Sequence, residues 1–124
     1  MMTRLQHLVL KTNDLRATCT FYLELLRLPG RCDAAAGHLW VNFDDGFVLR
    51  FDRSEDAPNA RAVQHLGLEL ASFEAVDKMY GYLAVHASID RDLRETYRHA
   101  RGPYGFFVTD PNDYLVKIFR YNVP

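Results

Sequence analysis

The tripeptide Gln-His-Leu occurs twice, at Gln6–Leu8 and at Gln64–Leu66, and the two histidines stand 58 residues apart. Each sits in a run of apolar residues, LQHLVL and VQHLGL. A neutral imidazole is a common metal ligand, and imidazole is the one side chain whose unperturbed ionisation falls near neutrality. His7 and His65 are therefore candidates either for metal ligation or for general acid–base work. The residues opposite them decide between these chemistries.

Those residues follow from a duplication. Leu5–Leu10 aligns with Val63–Leu68, and both read as short alternating strands. A capping residue follows each strand, Asn13-Asp14 in one case and Ser72 in the other. Helical patterns come next. Leu15, Cys19, Tyr22, Leu25 and Leu26 share one face of the first helix, and Phe73, Val76, Tyr80 and Leu83 share one face of the second. The first must stop near Pro29-Gly30. At an offset of 67, His38–Asp52 matches Gly105–Phe119. Each is a pair of strands joined by a polar turn, Asp44-Asp45-Gly46 and Pro111-Asn112-Asp113.

These elements make two modules of about residues 3–52 and 63–121, joined by the polar linker 53–62 in one domain of 124 residues. Residues 86–102 pull two ways. Ile89, Leu93 and Tyr97 are spaced by four, as in a helix, whereas the repeat requires a short strand and a loop, and we adopt the repeat.

Alternation assigns the faces. Leu8 and Leu10, Leu66, Leu68 and Leu70, Phe47, Leu49 and Phe51, and Tyr114, Val116 and Ile118 form apolar rows that must pack on the helices. The opposite rows are mixed. They carry His7, Val9 and Lys11; His65, Gly67 and Glu69; Val48, Arg50 and Asp52; Leu115, Lys117 and Phe119. By the same logic His38, Trp40 and Asn42, with Gly105, Phe107 and Thr109, join the mixed face. Trp40 and Phe107 could stack on a flat ligand, or fill space between modules. Tyr104 is expected in a loop. Arg91, Arg94, Arg98, His99 and Arg101 read as a solvated face interleaved with Asp90, Asp92 and Glu95.

A duplicated βαβββ unit with HLVL…NDLRATCTFYLELL at the front and FFVTDPNDYLVKI at the back resembles the vicinal oxygen chelate superfamily. That group includes glyoxalase I, extradiol dioxygenases, fosfomycin-modifying enzymes and bleomycin-binding resistance proteins. The resemblance covers nearly the whole chain. It implies an α+β fold in which two tandem βαβββ modules form a curved mixed sheet, a cup with helices on its outer face. It also implies a homodimer. Metal users in the group draw ligands from four equivalent positions, held here by His7, Arg50, His65 and Lys117. Arg50 and Lys117 stand where those proteins carry carboxylates.

An arginine cannot act as a ligand, and two fixed cations oppose a dication. The expectation is therefore no metal and no cofactor, with His7 and His65 as catalytic candidates and Trp40, Arg50, Phe107 and Lys117 as substrate-binding residues. If there is chemistry, one histidine is the general base, and Arg50 or Lys117 steadies a developing enolate or carboxylate.

Three functions stay open. The first is a small-molecule binder or metal-independent enzyme for an anionic, partly aromatic ligand. The second is a metal-dependent lyase, isomerase or dioxygenase using His7 and His65, with Asp52 or Glu69 as replacement ligands. The third is an antibiotic-sequestering resistance protein.

Composition sets the outer limits. The chain is 48% hydrophobic and 25% charged, as ordinary globular proteins are. Its net charge of −1 gives no reason to expect nucleic acid or an anionic membrane as partner. There is no apolar run long enough to span a bilayer and no signal-peptide layout, so a cytoplasmic location is expected. Cys19 and Cys32 are too few for a disulfide framework and are expected as free thiols.

Overall fold

A computed structural model of the chain describes residues 2–124. It divides into two compact units, Met1–Asn59 and Ala60–Pro124. Both have the same βαβββ order. The first runs β1 (His7–Thr12), α1 (Leu15–Cys19), β2 (Gly30–Asp33), β3 (His38–Asn42) and β4 (Val48–Arg53). The second runs β5 (Leu66–Glu69), α2 (Phe73–Leu83), β6 (Ser88–Asp92), the one-turn helix α3 (Arg94–Tyr97), β7 (Gly102–Thr109) and β8 (Leu115–Asn122).

Each unit holds a four-stranded mixed sheet, ordered β1-β4-β3-β2 and β5-β8-β7-β6. The first strand of each unit pairs in parallel with the last, and the other pairings are antiparallel. The α+β class and the duplicated βαβββ arrangement expected from the sequence are what the chain adopts.

Local chemistry explains the boundaries. The Asp14 carboxylate accepts from Ala17 N–H at 3.0 Å to open α1, and Ser72 Oγ accepts from Ala75 N–H at 3.1 Å to open α2. The two hairpin turns are equivalent. Gly46 takes a φ of +89° in one, and Asp113 takes +68° at the matching place in the other. In the second turn Asp110 stabilises that backbone by accepting from Asn112 N–H and Tyr114 N–H.

The apolar rows pack as alternation requires. Leu39, Val41, Leu49 and Phe51 are buried in the first unit, as are Phe106, Val108, Val116 and Ile118 in the second. Tyr22 packs tilted against Phe51 with ring centroids 4.9 Å apart, and Tyr80 meets Phe106 edge-on at 5.1 Å.

Several expectations need correction. The first helix continues past Cys19 as a wider turn over Thr20–Leu25, with Leu26 N–H bonded to the Phe21 carbonyl. The extra residue per turn rotates the following side chains. Leu26 is buried as expected, Phe21 is buried with it, and Leu25 is only half-buried.

Cys19 and Cys32 are not free thiols. They are joined in a disulfide that ties α1 to the edge strand β2, with Cα atoms 6.0 Å apart. Counting cysteines could rule out a multi-bridge framework, but it gave no view of this helix–strand contact.

Tyr104 lies within β7 rather than in a loop. It is fully buried, stacks on Phe73 at 4.2 Å and donates its hydroxyl to Asp77 at 2.7 Å. Residues 86–102 contain both the strand that the repeat required and a single helical turn. Among the described residues no helix is long and apolar enough to cross a membrane.

Candidate anion site and its counterpart in the first unit

Both helix-free faces carry the same construction, a row running across four strands. In the first unit Arg31 stands opposite Trp40, Trp40 opposite Arg50, and Arg50 opposite Val9. In the second, Arg91 stands opposite Phe107, Phe107 opposite Lys117, and Lys117 opposite Gly67. Each row therefore places an aromatic ring between two cations. The Arg31 and Arg50 guanidinium carbons lie 5.6 and 5.0 Å from the Trp40 ring centroid. Arg91 and Lys117 lie 5.0 and 5.9 Å from that of Phe107. These are cation–π distances.

The two rows differ in free charge. Arg50 spends its charge on its own strand, donating Nε–H and Nη2–H to the two oxygens of Asp52 at 2.7 and 3.0 Å. His38, opposite Asp52 in register, donates Nδ1–H to the same carboxylate at 2.7 Å. Burial alone would raise the Asp52 carboxyl pKa. The hydrogen bonds and charges of Arg50 and His38 outweigh it and hold the pKa below the usual range. Arg31 reaches only a marginal 4.0 Å pair with Asp33.

In the second unit, Lys117 and Arg91 have no carboxylate within 4.0 Å among the described residues. Lys117 also stands over Phe119 at 4.9 Å. Glu69, on the neighbouring strand, turns instead to Arg120 and Tyr121 N–H. His65 meets Phe107 edge-on at 5.3 Å. Burial, and then the charge of Lys117, push its imidazole pKa below the ordinary value, which favours the neutral ring.

Of the residues singled out in the sequence, His65, Phe107 and Lys117 thus gather on one face, and Trp40 and Arg50 on another. His7 belongs to the first unit, is exposed, and donates Nδ1–H to Gln6 Oε1 at 2.8 Å. Arg91 is exposed, as a solvated run requires, but its place beside Phe107 has no signal in the alternation of the sequence. A bulge between Ile89 and Arg91 shifts the register and turns Arg91 toward Phe107. Arg94, from the same run, is half-buried: it pairs with Asp92 and Asp77 on the helix side and covers Tyr80 at 3.8 Å. His38 and Asp52 were placed on the mixed face, but their pairing went unread. That Arg50 and Asp52 are two apart, and so on the same side of a strand, was the available signal.

The residues present do not fit a divalent ion. At the two strand positions that the resemblance noted in the sequence implies for carboxylate ligands stand Arg50, bound to Asp52, and Lys117, which offers no lone pair while protonated. Among the described residues no three of His, Cys, Asp and Glu gather as a metal-binding group.

Two sheets of this topology, each with mixed rows facing away from its helix, define a known class of paired-module proteins. The family model for the Glyoxalase/Bleomycin resistance protein/Dioxygenase superfamily matches residues 4–118, and the chain belongs to that superfamily. No curated protein matches the sequence significantly.

Among solved structures, the fold is similar to a glyoxalase/dioxygenase from Nostoc punctiforme. The two are 16% identical, with 97% of this chain and 92% of that one covered and a TM-score of 0.76. It is also similar to a mutant of the fosfomycin resistance protein FosX from Listeria monocytogenes, complexed with Mn(II) and dihydroxypropylphosphonic acid. There the identity is 15%, the coverage 99% and 94%, and the TM-score 0.75. A lactoylglutathione lyase from Agrobacterium tumefaciens is 14% identical, with coverage of 97% and 95% and a TM-score of 0.69. At such identities the likeness concerns the fold alone.

Proposed function

We propose that this chain is a small-molecule-binding member of its superfamily that takes an anionic, aromatic ligand without a metal, on the helix-free face of the second unit. The observation that carries this reading is the pair of cations, Arg91 and Lys117, flanking Phe107 with no ion-pair partner among the described residues. A bound carboxylate would accept charge-assisted hydrogen bonds from both cations. His65, neutral and edge-on to the same ring, adds a hydrogen-bonding group. A carboxylate would meet the cations, and its aromatic part would lie along Phe107 or Phe119.

The test is calorimetric titration with benzoate and with phthalate as probes. A contact between unit charges is worth about 1 kcal/mol in water and about 4 kcal/mol at an effective dielectric of 20. The half-exposed face belongs near the lower end. Lys117→Gln or Arg91→Gln should therefore weaken binding by about 5- to 30-fold. Added salt should weaken the parent more than either variant. No binding by the parent, or equal binding by both variants, would overturn the proposal.

A further inference from the structure

The first unit holds a constellation that the anion site does not use. His38 and Asp52 stand directly opposite on β3 and β4, and the imidazole donates Nδ1–H to Oδ1 at 2.7 Å. Among the described residues no other histidine has a carboxylate within 4.0 Å. His7 bonds a neutral amide, and His65 faces Phe107. Asp52 is itself pinned at both oxygens by Arg50. It therefore acts only as an acceptor, and it fixes His38 as the Nδ1–H tautomer. The consequence is that Nε2 carries the lone pair, and no described residue bonds to it.

The ring is not sealed in the core. The His38 side chain keeps 31% of its surface, and it meets Trp40 nearly at right angles at 5.8 Å. Arg50, beside it, uses Nε and Nη2 on Asp52 and leaves Nη1 without an acceptor among the described residues.

From this geometry we infer that His38 is a general base, with Asp52 as its positioning residue, acting on an enolisable carbonyl acid with an aromatic part that rests by Trp40. The carbonyl oxygen meets Arg50 Nη1. Nε2 takes a proton from the carbon next to the carbonyl, and the C–H electron pair moves onto the carbonyl oxygen as an enolate. Asp52 balances the imidazolium that forms, and Arg50 balances the enolate. Return of the proton to oxygen gives the enol; its return to carbon restores the ketone or exchanges the hydrogen. No oxidant or other co-reactant enters. A merely structural pair this exposed would contribute little to stability and would leave no reactivity behind. None of these residues belongs to the anion site of the second unit, so the two readings fail separately.

The probe is phenylpyruvate, an aromatic, anionic, enolisable keto acid. Deuterium uptake at its methylene carbon in heavy water is followed by proton NMR. The 124-residue chain should accelerate exchange about a hundredfold over buffer containing the same concentration of free imidazole, the lower end of what a positioned base contributes. His38→Gln should remove the acceleration, and His99→Gln should keep it. Asp52→Asn should lower the maximal rate with little change in KM. Its nitrogen NMR spectrum should show His38 losing its preference for the Nδ1–H tautomer, while thermal unfolding confirms that the variant folds. Exchange no faster than in the imidazole control, exchange unaffected by His38→Gln, or a parent His38 carrying its proton on Nε2 would each overturn the assignment.

Discussion

Replacing Arg94 with methionine tests how the second unit holds its helices against its sheet. The arginine side chain is 20% exposed and makes three charge-assisted hydrogen bonds. Nε and Nη2 donate to Asp92 at 3.0 Å each, and Nη1 donates to Asp77 at 2.9 Å. The Tyr104 hydroxyl donates to that same Asp77 oxygen. Methionine keeps an apolar cover on Tyr80 and removes the charge.

A hydrogen bond to a charged group is worth about 1.5–3 kcal/mol net, and the cation–π contact adds about 0.5–1 kcal/mol. Asp77 and Asp92 are 44% and 34% exposed, so water recovers much of what they lose. The expected cost is about 2 kcal/mol, read as a lower urea midpoint by circular dichroism at pH 7.

The sign with pH follows from Asp92. The Arg94 hydrogen bond is the largest influence on its carboxyl and lowers the pKa below the ordinary 3.8. A depressed carboxyl pKa gives stability that is present above the ordinary value and lost as pH falls through the folded one. The gap between parent and variant should therefore narrow below about pH 3.8. A gap under about 0.5 kcal/mol at neutral pH, or one that persists undiminished in acid, would show that the Arg94 network does not act as described.

Three further outcomes are expected. The His65 imidazole should titrate below the ordinary value of 6.5 by proton NMR, so its protonation should destabilise the fold as pH falls through and below that value. Lys117→Gln should raise its pKa only in part, because burial is the larger cause. Reduction of the Cys19–Cys32 bond, which closes a separation of 13 residues, should lower stability by about 2–3 kcal/mol in urea unfolding with and without reductant. Gly105→Ala should destabilise the β7–β8 pairing by at least about 1 kcal/mol in the same assay, because its new Cβ would collide with the Ile118 carbonyl.

What could be read from the sequence depended on period and repetition. Leu49 and Phe51 against Arg50 and Asp52 show the two faces of β4 through alternation alone, and burial follows it residue by residue. The duplication set the element order even where the local signal was weak, as at Ser88–Asp92.

The misses fall where one residue breaks a period. The wide turn after Cys19 adds Phe21 to the core and leaves Leu25 only half-buried. The bulge beside Arg91 brings this exposed cation to within 5.0 Å of the Phe107 ring. The use of charge was also hidden. A sequence displays Arg50 and Lys117 as equivalents, and only the positions of Asp52 and Glu69 show that the first is neutralised on its own strand and the second is not. Contacts between a helix and an edge strand, such as Cys19 with Cys32, carry no periodic signature at all.

The most direct test of the central claim is a benzoate titration followed by NMR on labelled protein. If the second unit's face is the anion site, the Phe107 ring, His65 ring, Arg91 and Lys117 side-chain signals should shift together along one saturable curve. Arg50, already held by Asp52, should stay nearly still. Shifts that never saturate, or that centre on Arg50 rather than on Phe107, would contradict the account.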